Sequence, residues 1–333
     1  MQKIGNARIG LAILLAVLAL LPLVSSRTLL ATLIQIFIVA VYAMSYDLLL
    51  GYTGIVSFGH ALFFGTGAYA VAILSAKTDR PELIFAGVLV GVVIAAAVSV
   101  VIGMLSLRVR AVYFSMITLA FAELFFIIAE KWNGVTGGND GMSFSIPEWM
   151  RDRTVLYYTA LVFLVVMYLF LRRVADSPLG RTLQAIRENE NRAASLGYDV
   201  LRFKVVSIVI SGVVASLAGA MFGIFQRFVN TSVLSLDKTV EALLATIIGG
   251  TGTLIGPVVG AGVIRFAQDA LSDLATVHPI FERWLILFGI VYIVIVMFFP
   301  KGIVGTLRDK WTGGRKGGVR HAADGSERNP DVL

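Results

Sequence analysis

Side chains able to do chemistry are sparse in this chain, and most of them sit inside long apolar runs. Gln35, Asp47, Glu123, Gln226, Glu241 and Asp269 fall at membrane depth in such runs. Ionisable groups buried that way face a bundle interior or a watery cavity, so their natural work is to bind or pass a solute or ion. Glu123, seven residues before Glu130 at the outer end of its run, is the first choice for such a role, with a buried hydrogen bond to a neighbouring helix as the alternative. Asp47 and Glu130 lie near run ends, where water should reach them. The chain has no cysteine and only three histidines, which removes disulfides, thiolate ligands and a cysteine nucleophile and leaves little for a metal cluster. No nucleophile and base pair, metal-ligand spacing or cofactor motif stands out. An intramembrane enzyme is therefore the weakest class, and passage of a solute the strongest.

Two glycine-dense stretches interrupt the apolar runs. Residues 51–69 read GYTGIVSFGHALFFGTGAY, with Gly51, Gly54, Gly59, Gly65 and Gly67, and the polar side chains of Ser57 and His60. Glycine at this density either lets helices pack closely or lets backbone unwind and line a cavity. In the second case this is a broken helix along a substrate route. His60 alone is more often a hydrogen-bonded structural residue than a proton carrier. Residues 249–262 read GGTGTLIGPVVGAG, with Gly249, Gly250, Gly252 and Thr253 ahead of Pro257. This stretch lacks the lysine of a phosphate-binding loop, and GxxxxGK[ST] occurs nowhere in the chain. If ATP powers the protein, another subunit must bind it.

Between two apolar runs, residues 172–204 carry Arg172, Arg173, Arg181, Arg187, Arg192, Arg202 and Lys204 against Asp176, Glu188, Glu190 and Asp199. Ser177 followed by Pro178 is a helix start signal. Leu179, Leu183 and Ile186 recur at helical spacing, while Arg181, Arg187 and Glu188 point elsewhere, so the helix is amphipathic. A second helical turn over 190–196 ends at Gly197, and Asp199 can cap the next helix. The segment is either a membrane-surface connector or a coupling helix that fits a groove on a cytoplasmic partner. Arg181, Ala185, Arg187, Glu188, Ala193, Ala194 and Gly197 are the candidates for that contact, the alanines allowing close approach.

The elements that must position these residues are membrane helices. At 57% hydrophobic residues over 333 and a mean hydropathy of +0.85, the chain belongs in a bilayer. Apolar runs of spanning length occur at 9–26, 28–50, 55–76, 83–107, 111–130, 154–171, 205–226 and 283–300. The run 9–26 reads as an uncleaved first span rather than a secretory signal. Residues 240–275 read as two shorter helices broken at 249–253, giving an all-α integral membrane protein of about ten membrane helices, some broken or short. The net charge of +7 reflects basic residues in the gaps and tail, not a nucleic-acid surface. With the N-terminus in the cytoplasm, 108–110, 172–204 and the tail after Lys301 are cytoplasmic, which satisfies the positive-inside bias. Residues 1–311 then form the transmembrane domain and 312–333 a mobile cytoplasmic tail. Residues 131–153 lie outside, and their cluster Thr136, Gly137, Gly138, Asn139, Asp140, Gly141 reads as a surface turn without the alternating ligands of a calcium loop.

Taken in order, GYTGIVSFGHALFFGTGAY (51–69), TGGNDGM (136–142), SPLGRTLQAIRENENRAASLGYDVLRFK (177–204), GGTGTLIGPVVGA (249–261) and FPKGIVG (299–305) resemble the permease subunits of bacterial branched-chain amino acid ABC importers, the LivM-like branch. The resemblance implies a permease fold of the vitamin B12-importer type in the bacterial inner membrane, multi-pass with both termini cytoplasmic. It implies a homologous second permease, two cytoplasmic ATPases that hold ATP and magnesium, an extracytoplasmic binding protein, and no cofactor on this chain. The older coupling pattern of such permeases, Glu-Ala-Ala ahead of a glycine, is met here only by Ala193 and Gly197. Leucine, isoleucine and valine are the implied substrates, with urea, amides or other amino acids as the alternative. An ion-coupled secondary transporter using Glu123 or Asp269 is the rival of another class.

Overall fold

A backbone in hydrocarbon must satisfy its own amides and carbonyls, and the apolar runs do so as helices. The computed structural model describes residues 17–23, 26–78, 80–106, 111–275, 289, 297 and 302–306. The spans expected at 9–26 and 283–300, the loop at 108–110 and the tail at 312–333 lie wholly or largely outside the described residues.

Helix α1 (Arg27–Asp47) opens on Ser26, whose hydroxyl accepts the Leu29 amide at 3.3 Å. It runs on without a stop into a widened π turn, Leu48–Thr53. Then follow α2 (His60–Thr78), α3 (Ile84–Ser106), α4 (Ala111–Lys131), α5 (Arg153–Asp176), α6 (Pro178–Glu188), α7 (Glu190–Ser195), α8 (Val200–Gln226), α9 (Leu236–Gly249) and α10 (Ile255–Ala275). Five helices among the described residues are long and apolar enough to cross a membrane, Arg27–Thr53, Pro81–Leu105, Tyr113–Lys131, Arg153–Asp176 and Val200–Gln226, with His60–Ala76 shorter. The chain is a mostly helical membrane protein.

Helix α1 is the axis, packing on α5, α8, α9 and α10. Its window is 72% buried, against 28% for α3 and 22% for α4, so α1 forms core while α3 and α4 present broad apolar outer faces. Helices α2, α3 and α8 make the second tight group, and small residues set their spacing. Gly67 lies on the Ser216 carbonyl, Gly219 on that of Phe64, and Gly87 would set a methyl 2.7 Å from the Val71 Cα. At one end of the bundle a two-residue strand β1 (Met142–Ser143) pairs antiparallel with β2 (Phe228–Val229), Met142 opposite Val229. Gly137, Gly138 and Gly141, with φ of 74°, 58° and 71°, make the turn that delivers β1.

Three expectations change. The run 55–76 is not one helix: residues 54–59 are non-helical and α2 begins at His60. The charged connection is shorter than 172–204, because α5 continues to Asp176 and α8 starts at Val200. Arg172, Arg173, Arg202 and Lys204 are thus helix-end residues, placed where cationic side chains can reach out of an apolar layer. Asp47 is 0% exposed rather than solvated.

Candidate functional site

The two glycine-broken segments and helix α6 meet at one place. Asp47 ends α1, and the π turn after it carries Gly51 one helical turn further along. Gly54, with φ 74°, stops the helix, its amide returning to the Leu49 carbonyl. Across from this turn, α9 ends at Gly249 and α10 starts at Ile255, and the connection holds Gly250, Gly252 and Leu254 at φ of 120°, 75° and 56°. Both Asp47 carboxylate oxygens are spent on that connection: Oδ1 accepts the Gly252 amide at 2.6 Å and Oδ2 the Leu254 amide at 3.1 Å. Thr253 closes it locally, donating to the Gly250 carbonyl at 2.8 Å and accepting the Gly256 amide at 2.9 Å as cap of α10. Gly51 leaves no room for a methyl between Asp47 and the Gly252 backbone.

Helix α6 enters from the other side. Ser177 caps it by accepting the Gly180 amide at 3.4 Å, and Leu183 and Ile186 are buried. Arg187, at its last turn, donates from Nη1 to the Gly51 carbonyl, and its Cγ would lie 3.0 Å from a methyl on Gly54. The Arg187 cation also attracts the Asp47 carboxylate electrostatically. Gly302, at φ 72°, packs on the Gly249 and Gly250 backbone from the fourth direction. A cavity of about 620 Å³ opens beside this knot, lined among others by Tyr52, Asp176, Gln184, Arg187, Glu188 and Thr251.

Deeper in the bundle, the start of α2 is held by hydroxyl groups from other helices. Thr118 of α4 accepts the Phe58 amide at 3.2 Å and Thr239 of α9 accepts the Ala61 amide at 2.9 Å. Ser57 accepts the Gly59 amide at 3.3 Å, and Tyr46 donates to the Ser57 carbonyl at 3.1 Å. His60 is fully buried, its Nε2 2.8 Å from Ser45 Oγ. Ser45 donates its proton to the Tyr42 carbonyl at 2.6 Å, so Nε2 carries the hydrogen of this pair. Nδ1 is then an acceptor with no hydrogen-bond partner, and the Tyr42 ring stacks on the imidazole at 5.2 Å.

The family model described as branched-chain amino acid transport system / permease component matches residues 28–297. That range holds both breaks and the α6–α7 connection. The chain belongs to this family. Among its relatives, the high-affinity branched-chain amino acid transport system permease protein LivM of Escherichia coli is 26% identical over 310 residues, covering 84% of this chain and 70% of the relative. A probable LivM of Methanocaldococcus jannaschii is 24% identical over 315 residues, covering 79% and 89%. The E. coli permease LivH is 24% identical over 292 residues, covering 80% and 91%.

In this permease component the residues singled out from the sequence divide by location. Gly51, Gly54, Gly249, Gly250, Gly252, Thr253 and Arg187 come together at the knot. Ser57, Gly59 and His60 form the deeper break, Gly59 lying on the Thr118 carbonyl. Gly65 and Gly67 are apart from both, pressed against Leu234 and Ser216 as helix-packing positions. Glu123 lies on the exposed face of α4 with Tyr113, Met116 and Ile127 and touches neither break. Arg181, Ala185, Glu188, Ala194 and Gly197 are exposed on the α6–α7 connection, whereas Ala193 is 3% exposed and turned into the permease itself. Sequence reasoning named Asp47 among the polar side chains at membrane depth but took it as hydrated, and it passed over Thr118 and Thr239. Asp47 did carry a signal: it stands one helical turn before Gly51. Among the described residues no group of histidines and carboxylates could hold a metal ion.

Proposed function

We infer that this permease component forms half of the membrane channel of an ATP-driven importer that carries leucine, isoleucine and valine across the bacterial inner membrane. The observation that carries this reading is the family match across both glycine breaks and the α6–α7 connection, joined by the contact of Arg187 with Gly51. A homologous second permease completes the channel, two cytoplasmic ATPases hold ATP and magnesium, and an extracytoplasmic binding protein delivers the amino acid. Relatives named LivM and LivH, both similar to this chain, support a pair of homologous permeases. The full chain crosses the membrane about ten times in a fold of the vitamin B12-importer type, with both termini in the cytoplasm.

Contacts between connections support that topology. Residues 47–54, 187, 250–254 and 302 meet at one end of the bundle. Residues 142 and 229, and 151 and 227, meet at the other, where the Arg227 guanidinium donates to the Arg151 carbonyl at 3.2 Å. Helix directions alternate between the two groups as successive spans require. The first end carries the basic α6–α7 connection and is the cytoplasmic one. There Arg181, Ala185, Glu188, Ala194 and Gly197 face the ATPase. Alternate access follows from movement at the breaks, with Ser57, His60 and the segment 249–253 beside the route.

The test is reconstitution of both permeases with the ATPases and the binding protein, followed by uptake of labelled leucine, isoleucine and valine, with urea and a short-chain amide as competitors. ATP-dependent uptake of the three amino acids is expected. Uptake by this chain alone under an ion gradient, without ATP, would sink the reading. Removing 177–197 with insertion intact should abolish co-purification of the ATPases.

A further inference from the structure

The geometry points to Asp47 and Arg187 as a paired joint that makes α6 and the two helix breaks move as one body, so that these two positioning residues set how much transport each ATP drives. This rests on the importer reading above and goes beyond it by naming which side chains carry the motion inward. The ATPase-facing side of α6 is exposed, but a push on it does nothing unless something links it to the membrane segments. Arg187 is that link to the first break, since its guanidinium donates to the Gly51 carbonyl. Asp47 is the link between the breaks, since its two oxygens hold the Gly252 and Leu254 amides. All three bonds end on backbone, so moving either side chain moves the chain path itself.

Three features show that the joint is built rather than incidental. Asp47 is fully buried with each carboxylate oxygen bonded, which is the condition for a buried carboxylate to be tolerated. Gly51, Gly54 and Gly302 are the residues that let Asp47, Arg187 and Gly250 approach, and at each a methyl would meet a neighbour within 3.0 Å. Gly54, Gly252 and Gly302 also hold positive φ, at 74°, 75° and 72°. Gly51 stands between the two side chains, its carbonyl bonded by Arg187 and its Cα placed so that a methyl would meet Asp47 Oδ1. By contrast, the Phe58 amide just before α2 and the Ala61 amide within it are bonded to Thr118 and Thr239, which ties the start of α2 to α4 and α9 rather than to α6.

Arg187→Met, Arg187→Lys and Asp47→Asn are made in the full importer, and amino acid taken up per ATP hydrolysed is measured beside ATPase co-purification. Arg187→Met removes the donor but leaves the buried Leu183 and Ile186 to seat α6, so the complex should assemble with its ATPases while uptake per ATP falls by about tenfold, within the usual range of coupling between sites. Arg187→Lys, which still donates to one carbonyl, should recover a large part of the ratio. Asp47→Asn keeps the shape but offers one acceptor where two are used, and should lower the ratio as well. An unchanged ratio in Arg187→Met overturns the inference, as does loss of ATPase binding in parallel with uptake, which would make Arg187 a docking residue only. A wild-type complex without ATP-dependent uptake would instead strike the importer reading, so the two failures are told apart.

Discussion

Leu254 shows how strongly the Asp47 clamp acts. A leucine at φ 56° occupies the left-handed region, at a cost of roughly 1–2 kcal/mol. It holds that conformation with its amide on Asp47 Oδ2 and its side chain 2% exposed in the core. Leu254→Gly would relieve the backbone strain but empty a buried site, and losing a buried leucine side chain costs about 2–5 kcal/mol. The cavity outweighs the strain, so the variant should melt at lower temperature in detergent; a raised melting temperature would mean that strain dominates at the clamp. None of this was readable from residue order. Counting apolar residues put Asp47 at the end of a span, where a carboxylate is ordinarily hydrated. What buries it is a loop some two hundred positions away, and no local pattern announces that pairing.

Elements differ in how much of their form is local. Helix α6 was legible because its signals are all nearby: Ser177 caps it, Leu183 and Ile186 recur at helical spacing and are buried, and Asp199 caps α8 through the Arg202 amide at 3.2 Å. The break at 249–253 was legible from its glycines, and α9 and α10 end and begin beside it. The break at 54–59 was harder, since Ile55, Val56 and Phe58 are as apolar as the helices around them, and the hydroxyls that hold it come from far along the chain, Thr118 accepting the Phe58 amide and Thr239 the Ala61 amide at the start of α2. Gly67, within α2, and Gly197, after α7, separate two roles that composition cannot. Gly67→Ala should lower stability by about 1–3 kcal/mol, because a methyl would push α2 off α8 at Ser216. Gly197→Ala meets nothing within 4 Å, so only its φ of 88° resists, at a cost of about 1 kcal/mol. Thermal melts of the two variants side by side check the order; a larger loss for Gly197→Ala would remove the close α2–α8 contact as the reason for that glycine.

For the whole molecule the informative residue is Glu123, because it is an outward-facing carboxylate on a spanning helix. Its neighbours on that face, Tyr113, Met116 and Ile127, are 58%, 63% and 45% exposed, so within one chain the stripe faces out of the bundle. A charged side chain at the centre of a membrane helix costs roughly 2.5–3.5 kcal/mol if lipid surrounds it. The importer reading removes that cost by covering the stripe with the second permease and placing Glu123 beside the aqueous route between them. Helix α3 offers the control: Leu89 is 66% exposed on a face with no charged residue and should meet lipid. The chain has no cysteine, so a single introduced one is labelled without background. In the assembled importer Glu123→Cys should react with a charged, water-soluble maleimide, and Leu89→Cys should not. Reactivity at Glu123→Cys should also change when ATP is added with vanadate, because in the importer reading the route beside it opens and closes with the ATPases. Equal protection of both positions would put α4 against lipid, and the permease pair would then have to meet through a different face.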